Sequence, residues 1–111
     1  GCTALEYIKW LTYVLPDFNI SKLSSDELHL DHVIPLSKFD LTNKDDIELA
    51  FNWRNTMPLS AKENLTKNAK IVVSQIKEHY TRLEKYHKDN NVPLPQKFVN
   101  LYARYLAAGN P

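Results

Sequence analysis

Two short runs limit this chain to a very small sheet. Leu28, Leu30 and His32 alternate with His29, Asp31 and Val33, the two-residue period of a strand, and Pro35 stops the run. The second run, Trp53 to Leu59, reads as a strand or extended return interrupted by Pro58. Elsewhere the apolar residues recur at helical steps. Leu5, Ile8, Leu11 and Leu15 line a first helix that Pro16 closes, and Thr3 with Glu6 makes a capping box at its start. Pro16 to Glu27 is a loop with Phe18, Ile20 and Leu23 as tether points. The turn-rich Asp40-Leu41-Thr42-Asn43 precedes a short helix through Ile47, Leu49, Ala50 and Phe51, with Asn43 and Asp46 as a weaker cap signal. Ser60 and Glu63 form a second capping box, so a helix starts at Ala61 and carries Asn64 and Lys67 on nearly the same face. Val72, Ile76, Tyr80, Leu83 and Tyr86 or His87 stripe a long helix to about Lys88, and Pro93-Leu94-Pro95 leads into a last one through Phe98, Leu101, Tyr102, Tyr105 and Leu106, stopped by Gly109. The class is α+β: a mostly helical domain with a two-stranded hairpin rather than a large sheet.

The 111 residues suit one domain, 1–111, with a compact strand–connection–strand–helix unit over about 28–68 and a C-terminal helical extension over about 69–109. No apolar run approaches the roughly 20 residues of a bilayer span, and the first residues lack the layout of a signal peptide, so an intracellular protein without a membrane partner is expected. The lone Cys2 forms no internal disulfide. The first residue is not Met, which suits an excised part of a longer parent with other domains. Net charge is only +1, but it is unevenly spread. Residues 26–48 hold seven acids against Lys38 and Lys44, and residues 62–88 hold seven bases against Glu63, Glu78 and Glu84. An acidic half beside a basic half suits a metal site next to a phosphate-binding face, and equally two solvated helix surfaces.

Phosphodiester hydrolysis needs a base that titrates near neutral pH and a cation near the phosphate. His32 is the right kind of base, and Asp31 the right kind of ligand for a hard cation such as Mg²⁺. Asn64 offers a carbonyl oxygen as a second ligand. Neighbouring strand residues point to opposite faces, so a shared site requires an irregular backbone at Asp31-His32. Plainer readings fit the same residues. His32 also suits a surface or hydrogen-bonded core position, Asn64 a solvated first helical turn, and Asn55 a turn held through its side chain. His29 shares the face of Asp31, as a further ligand or as a plain strand histidine.

Three separated stretches, Leu30-Asp31-His32-Val33-Ile34-Pro35-Leu36-Ser37, Phe51-Asn52-Trp53-Arg54-Asn55 and Pro58-Leu59-Ser60-Ala61-Lys62-Glu63-Asn64-Leu65-Thr66-Lys67, resemble in order the HNH endonuclease family, in the variant common in phages and large viruses. The resemblance covers roughly residues 1–68. It implies a ββα-metal finger that cleaves DNA, with His32 as general base, Asp31 and Asn64 as metal ligands, and Asn55 bracing the loop and the histidine. Lys67 resembles a basic position after the last ligand, and phosphate contacts from Lys62, Lys67 and Lys70 would hold DNA, expected to be double-stranded, with little sequence preference. Asn64 stands where other relatives have His, which favours Mg²⁺ or Mn²⁺ over zinc. Thr56-Met57 departs from the Leu-Gln frequent there, a matter of packing. The helices after Asn68 have no counterpart in the resemblance and suit a DNA- or partner-facing extension or completion of the core. The rival expectation is an HNH-shaped module that holds DNA or a protein without cutting.

Overall fold

The computed structural model describes residues 4–16, 19, 21, 28–60 and 73–108. The chain divides into two compact units, residues 1–70 and 71–111. Among the described residues there are four α-helices and one two-stranded antiparallel sheet, a mixed α and β architecture. No helix among them is long and apolar enough to cross a membrane.

In the first unit, α1 (Ala4–Val14) precedes β1 (Leu28–His32), and α2 (Lys44–Phe51) lies between β1 and β2 (Thr56–Ser60). The strands pair in register from Leu28↔Ser60 to His32↔Thr56. Pro58 is tolerated because a two-stranded ribbon has only edge strands, so a missing N–H can face outward. Residues 53–59 are not extended throughout, since Trp53–Asn55 forms a 3-10 turn before β2 begins. That turn is set by Asn52, whose Oδ1 accepts the Arg54 N–H at 2.9 Å.

Helix α1 gives this core Trp10 and, from the aliphatic stripe, Leu11. Leu5 is 59% exposed and Ile8 also faces solvent, while Trp10 and Leu11 are buried. Trp10 stacks with Tyr13 (centroids 6.1 Å apart) and lies against Trp53 at 5.7 Å. Its Nε1–H donates to the Thr56 carbonyl at 2.7 Å, which ties α1 to the start of β2. An indole removes more apolar surface than a leucine and needs a partner for its N–H when buried, so the face that offers both wins. The capping box at Thr3 and the tethers Phe18, Ile20 and Leu23 lie outside the described residues.

Three side chains assemble the start of α2. Asn43 caps it by accepting from Asp46 N–H at 3.1 Å. Asp46 does not complete a reciprocal box but accepts the Asp40 N–H at 2.7 Å. The Asp40 carboxylate takes the Thr42 hydroxyl at 2.6 Å and the Thr42 amide at 3.0 Å, and these bonds, the hydroxyl first, hold its pKa below the usual 3.8. Because the folded value is depressed, this turn contributes its stability above the ordinary carboxylate range and loses it as pH falls through the lower value.

The second unit contains a helical hairpin of α3 (Val73–Asp89) and α4 (Gln96–Ala108). Ile76, His79, Leu83 and His87 are buried on α3, and Phe98, Leu101 and Tyr102 on α4. The stripe read through Tyr80 thus centres one residue earlier, on His79, whose Nε2 lies 3.3 Å from the Tyr102 hydroxyl. A histidine with a hydroxyl partner in the facing helix is accommodated inside, and Tyr80 is half-buried beside it. Helix α3 ends in a Schellman arrangement: Val92 N–H donates to His87 C=O and Asn91 N–H to Lys88 C=O, with Asn91 at φ 56°. Pro95 starts α4 by offering its carbonyl to Phe98 N–H at 3.0 Å.

The tryptophan-centred core predicts unequal costs on α1. Trp10→Phe lowers unfolding stability by about 2 kcal/mol through lost volume and a lost hydrogen bond, whereas Leu5→Ala changes it by no more than about 0.5 kcal/mol. Urea melts of the two variants check this, and equal losses would place Leu5 in the core.

Candidate active site

Asn55 is fully buried, and its amide is spent on the backbone around it. Its Oδ1 accepts the Ile34 N–H at 2.9 Å, while Nδ2 donates to the Ile34 carbonyl and to the Ala50 carbonyl, each at 3.1 Å. Its own carbonyl accepts the Val33 N–H at 2.9 Å. One residue thereby fastens the bend after β1 to the C-terminal end of α2. A primary amide is the one short side chain with an acceptor and two donors, which this position uses together.

His32 reaches the same point from the last pair of the ribbon. Its Nδ1 lies 3.2 Å from the Ala50 carbonyl, which therefore receives both His32 and Asn55. A carbonyl only accepts, so Nδ1 carries the hydrogen and the neutral ring keeps its lone pair, the proton-accepting site, on Nε2. The Ala50 carbonyl is one of the last four of α2, which have no partner inside the helix. The negative end of a helix dipole also favours the positive charge that an imidazole acquires on taking a proton. The next carbonyl, of Phe51, accepts the Tyr7 hydroxyl, so α1 closes the same helix end. The Phe51 ring meets His32 at 85° with centroids 5.7 Å apart.

Asp31 precedes His32 and is 7% exposed, whereas Leu30 is 39% exposed. The polar face of the strand is thus turned inward and a leucine outward. The cause is the period of two: Val33 and Ile34 are buried and anchored to Asn55, and Asp31 lies on the Val33 side of the alternation. A carboxylate so placed is stable only where a cation or hydrogen-bond donors compensate its charge. The irregular backbone expected between Asp31 and His32 lies one step further on. Both residues pair regularly with β2, and the chain bends at Val33 and Ile34, whose amides go to Asn55 instead of to a ladder.

The structure therefore brings His32 and Asn55 onto one carbonyl, with Asp31 next in the strand. Asn64, Lys62, Lys67 and Lys70 lie outside the described residues, as does the helix expected to start at Ala61. Among the described residues, no group of three or more His, Cys, Asp or Glu side chains comes together to hold a metal ion. The expected donors are of another kind, one carboxylate and one amide oxygen, a set that suits a hard cation keeping several waters. Sequence reasoning missed the Ala50 carbonyl, because a backbone acceptor leaves no mark in the residue code. Phe51 carries a helix signal and opens the second motif stretch, and Tyr7 only falls within the first helix.

The fully used amide makes Asn55 intolerant of change. Asn55→Ala takes from the Ile34 amide and carbonyl the bonds Asn55 makes to them, removes one of the two bonds to the Ala50 carbonyl, and lowers stability by about 2–4 kcal/mol. Asn55→Asp is worse, because a carboxylate then faces the Ile34 and Ala50 carbonyl oxygens. Thermal unfolding followed by circular dichroism reads both, and an aspartate variant as stable as the wild type would contradict the hydrogen-bond assignment.

No protein-family model and no solved structure matches this chain. Two uncharacterized proteins of Acanthamoeba polyphaga mimivirus are similar to it. One is 45% identical over 64 residues, which make up 58% of this chain and 28% of the relative. The other is 30% identical over 79 residues, 71% of this chain and 35% of the relative. The chain spans about a third of the length of these curated relatives.

Proposed function

We propose that the chain is a metal-dependent endonuclease of the HNH type that hydrolyses phosphodiester bonds of double-stranded DNA, within a ββα core that includes the β1–β2 hairpin. The observation that supports it most is the tethering of His32 through Nδ1 to a carbonyl that Asn55 also holds, which leaves Nε2 as the proton acceptor. A general base must have its accepting atom defined and its ring oriented, and this arrangement supplies both. His32 Nε2 takes a proton from water as the water oxygen bonds to phosphorus. The bond from phosphorus to the leaving sugar oxygen then breaks, and that oxygen ends protonated. Asn55 keeps the bend after β1 and the imidazole anchor in one frame. Asp31 and Asn64 would hold the divalent cation, Mg²⁺ or Mn²⁺, which when bound supplies positive charge to the phosphate and the leaving oxygen. Lys62, Lys67 and Lys70 would meet the phosphates, giving affinity that falls with salt and depends little on sequence. One centre nicks one strand, and a double-strand break takes a second centre or a second event.

Plasmid nicking with Mg²⁺ or Mn²⁺, with and without EDTA, tests the reading. Wild-type protein is expected to relax supercoiled plasmid only with metal, and His32→Ala to be slower by a factor of about 10²–10⁴. If supercoiled plasmid survives the wild-type protein across a metal series, the chain is a binding module rather than a nuclease. Replacing Lys62, Lys67 and Lys70 together should lower the slope of log affinity against log salt by about 0.9 for each phosphate that is no longer neutralised. An unchanged slope in a filter-binding titration would remove these lysines from the interface.

A further inference from the structure

We propose that Phe51 is a positioning residue for His32, holding the imidazole at its working angle; the proposal rests on the endonuclease reading for its kinetic consequence but not for its geometry. The hydrogen bond from Nδ1 to the Ala50 carbonyl constrains the imidazole at one edge. A further constraint comes from the next residue along, since the Phe51 ring stands at 85° to the imidazole with centroids 5.7 Å apart. An edge-to-face contact of this kind favours one ring orientation by roughly several-fold up to about tenfold.

Core packing does not account for Phe51. Its neighbour Ala50 is fully buried, yet Phe51 is 46% exposed, so much of the apolar burial open to a phenylalanine is forgone. The ring is nonetheless held on a fixed base. The Phe51 carbonyl accepts the Tyr7 hydroxyl from α1, and the chain turns at once at Asn52, whose side chain takes the Arg54 amide at 2.9 Å. Two consecutive residues at the end of α2 thus grip the imidazole in different ways, Ala50 through its carbonyl and Phe51 through its ring. Proton transfer to a base requires alignment within hydrogen-bond reach, and a misplacement of about 1 Å can cost on the order of 10²-fold.

The test combines nicking kinetics with a spectroscopic readout. Phe51→Ala, Phe51→Leu and Phe51→Tyr are made in the full chain, and Phe51→Ala also in the His32→Ala background. Phe51→Ala is expected to lower kcat by about tenfold, the size of one aromatic contact, with KM changed less than about twofold. Phe51→Tyr, which keeps the ring, should recover most of the rate, and Phe51→Leu should not. In the His32→Ala background, measured in single turnover, Phe51→Ala should cause no further loss, because it acts only through the imidazole. An equal loss in both backgrounds, or a loss confined to KM, would make Phe51 a direct substrate contact and overturn the proposal, as would wild-type rates for Phe51→Ala. Nitrogen-15 spectra of the metal-free protein provide the arm that needs no activity. Phe51→Ala should change the His32 ring signals while Phe51→Tyr leaves them near wild type. Unchanged signals in Phe51→Ala overturn the positioning role whether or not DNA is cut. Changed signals in a protein that cuts no DNA sustain it and sink only the endonuclease reading.

Discussion

The carbonyl of Ala50 is the point on which residues 28–60 depend. It closes α2, receives the amide of Asn55 and receives the imidazole of His32. Each of those groups would otherwise carry an unsatisfied polar atom into the interior, at a cost of about 1–3 kcal/mol. Joining them at one oxygen satisfies three elements together: the end of the hairpin, the bend after it and the helix between the strands. Asn55 is the strictest member of the set, because its amide is also matched to both backbone groups of Ile34. Such a junction resists small displacements, since moving any one element breaks bonds made by the others.

The rest of the first unit works to keep that junction in place. Trp10 ties α1 to Thr56, which pairs with His32 across the ribbon. Tyr7 ties α1 to Phe51, one residue beyond the shared carbonyl. A helix that looks like a simple packing element therefore touches both strand and helix sides of the candidate site. Its outward face, Leu5 and Ile8, takes no part in this, which is why the aliphatic stripe is a poor guide to its orientation. The inward turn of Asp31 follows from the same frame. Once Ile34 and Val33 are anchored to Asn55, the period of two leaves Asp31 on the inner side, whatever the cost of its charge.

The second unit illustrates a different balance. It buries His79 where the apolar stripe points to Tyr80, and it buries His87 as well. Each has a polar partner that makes burial tolerable: Tyr102 for His79 and the Val92 carbonyl for His87. Asn91 ends α3 in the left-handed region, a conformation that asparagine accepts more readily than most residues.

Local chemistry was legible in the residues alone. Alternation located β1, Asn43 located the start of α2, and Pro93-Leu94-Pro95 separated the last two helices, because caps, turns and periodicity are written within a few neighbouring positions. The order Asp31, His32, Asn55 was also readable as a resemblance, but not the reason these residues stand together. The 3-10 turn before β2, the choice of Trp10 over Leu5 and Ile8, the inward face of Asp31 and the meeting of His32 with Asn55 came only from the tertiary structure. These are competitions between faces and partners distant in sequence, decided by which arrangement buries the largest side chains and satisfies the most polar groups, and a carbonyl such as that of Ala50 enters them without any side-chain signal of its own.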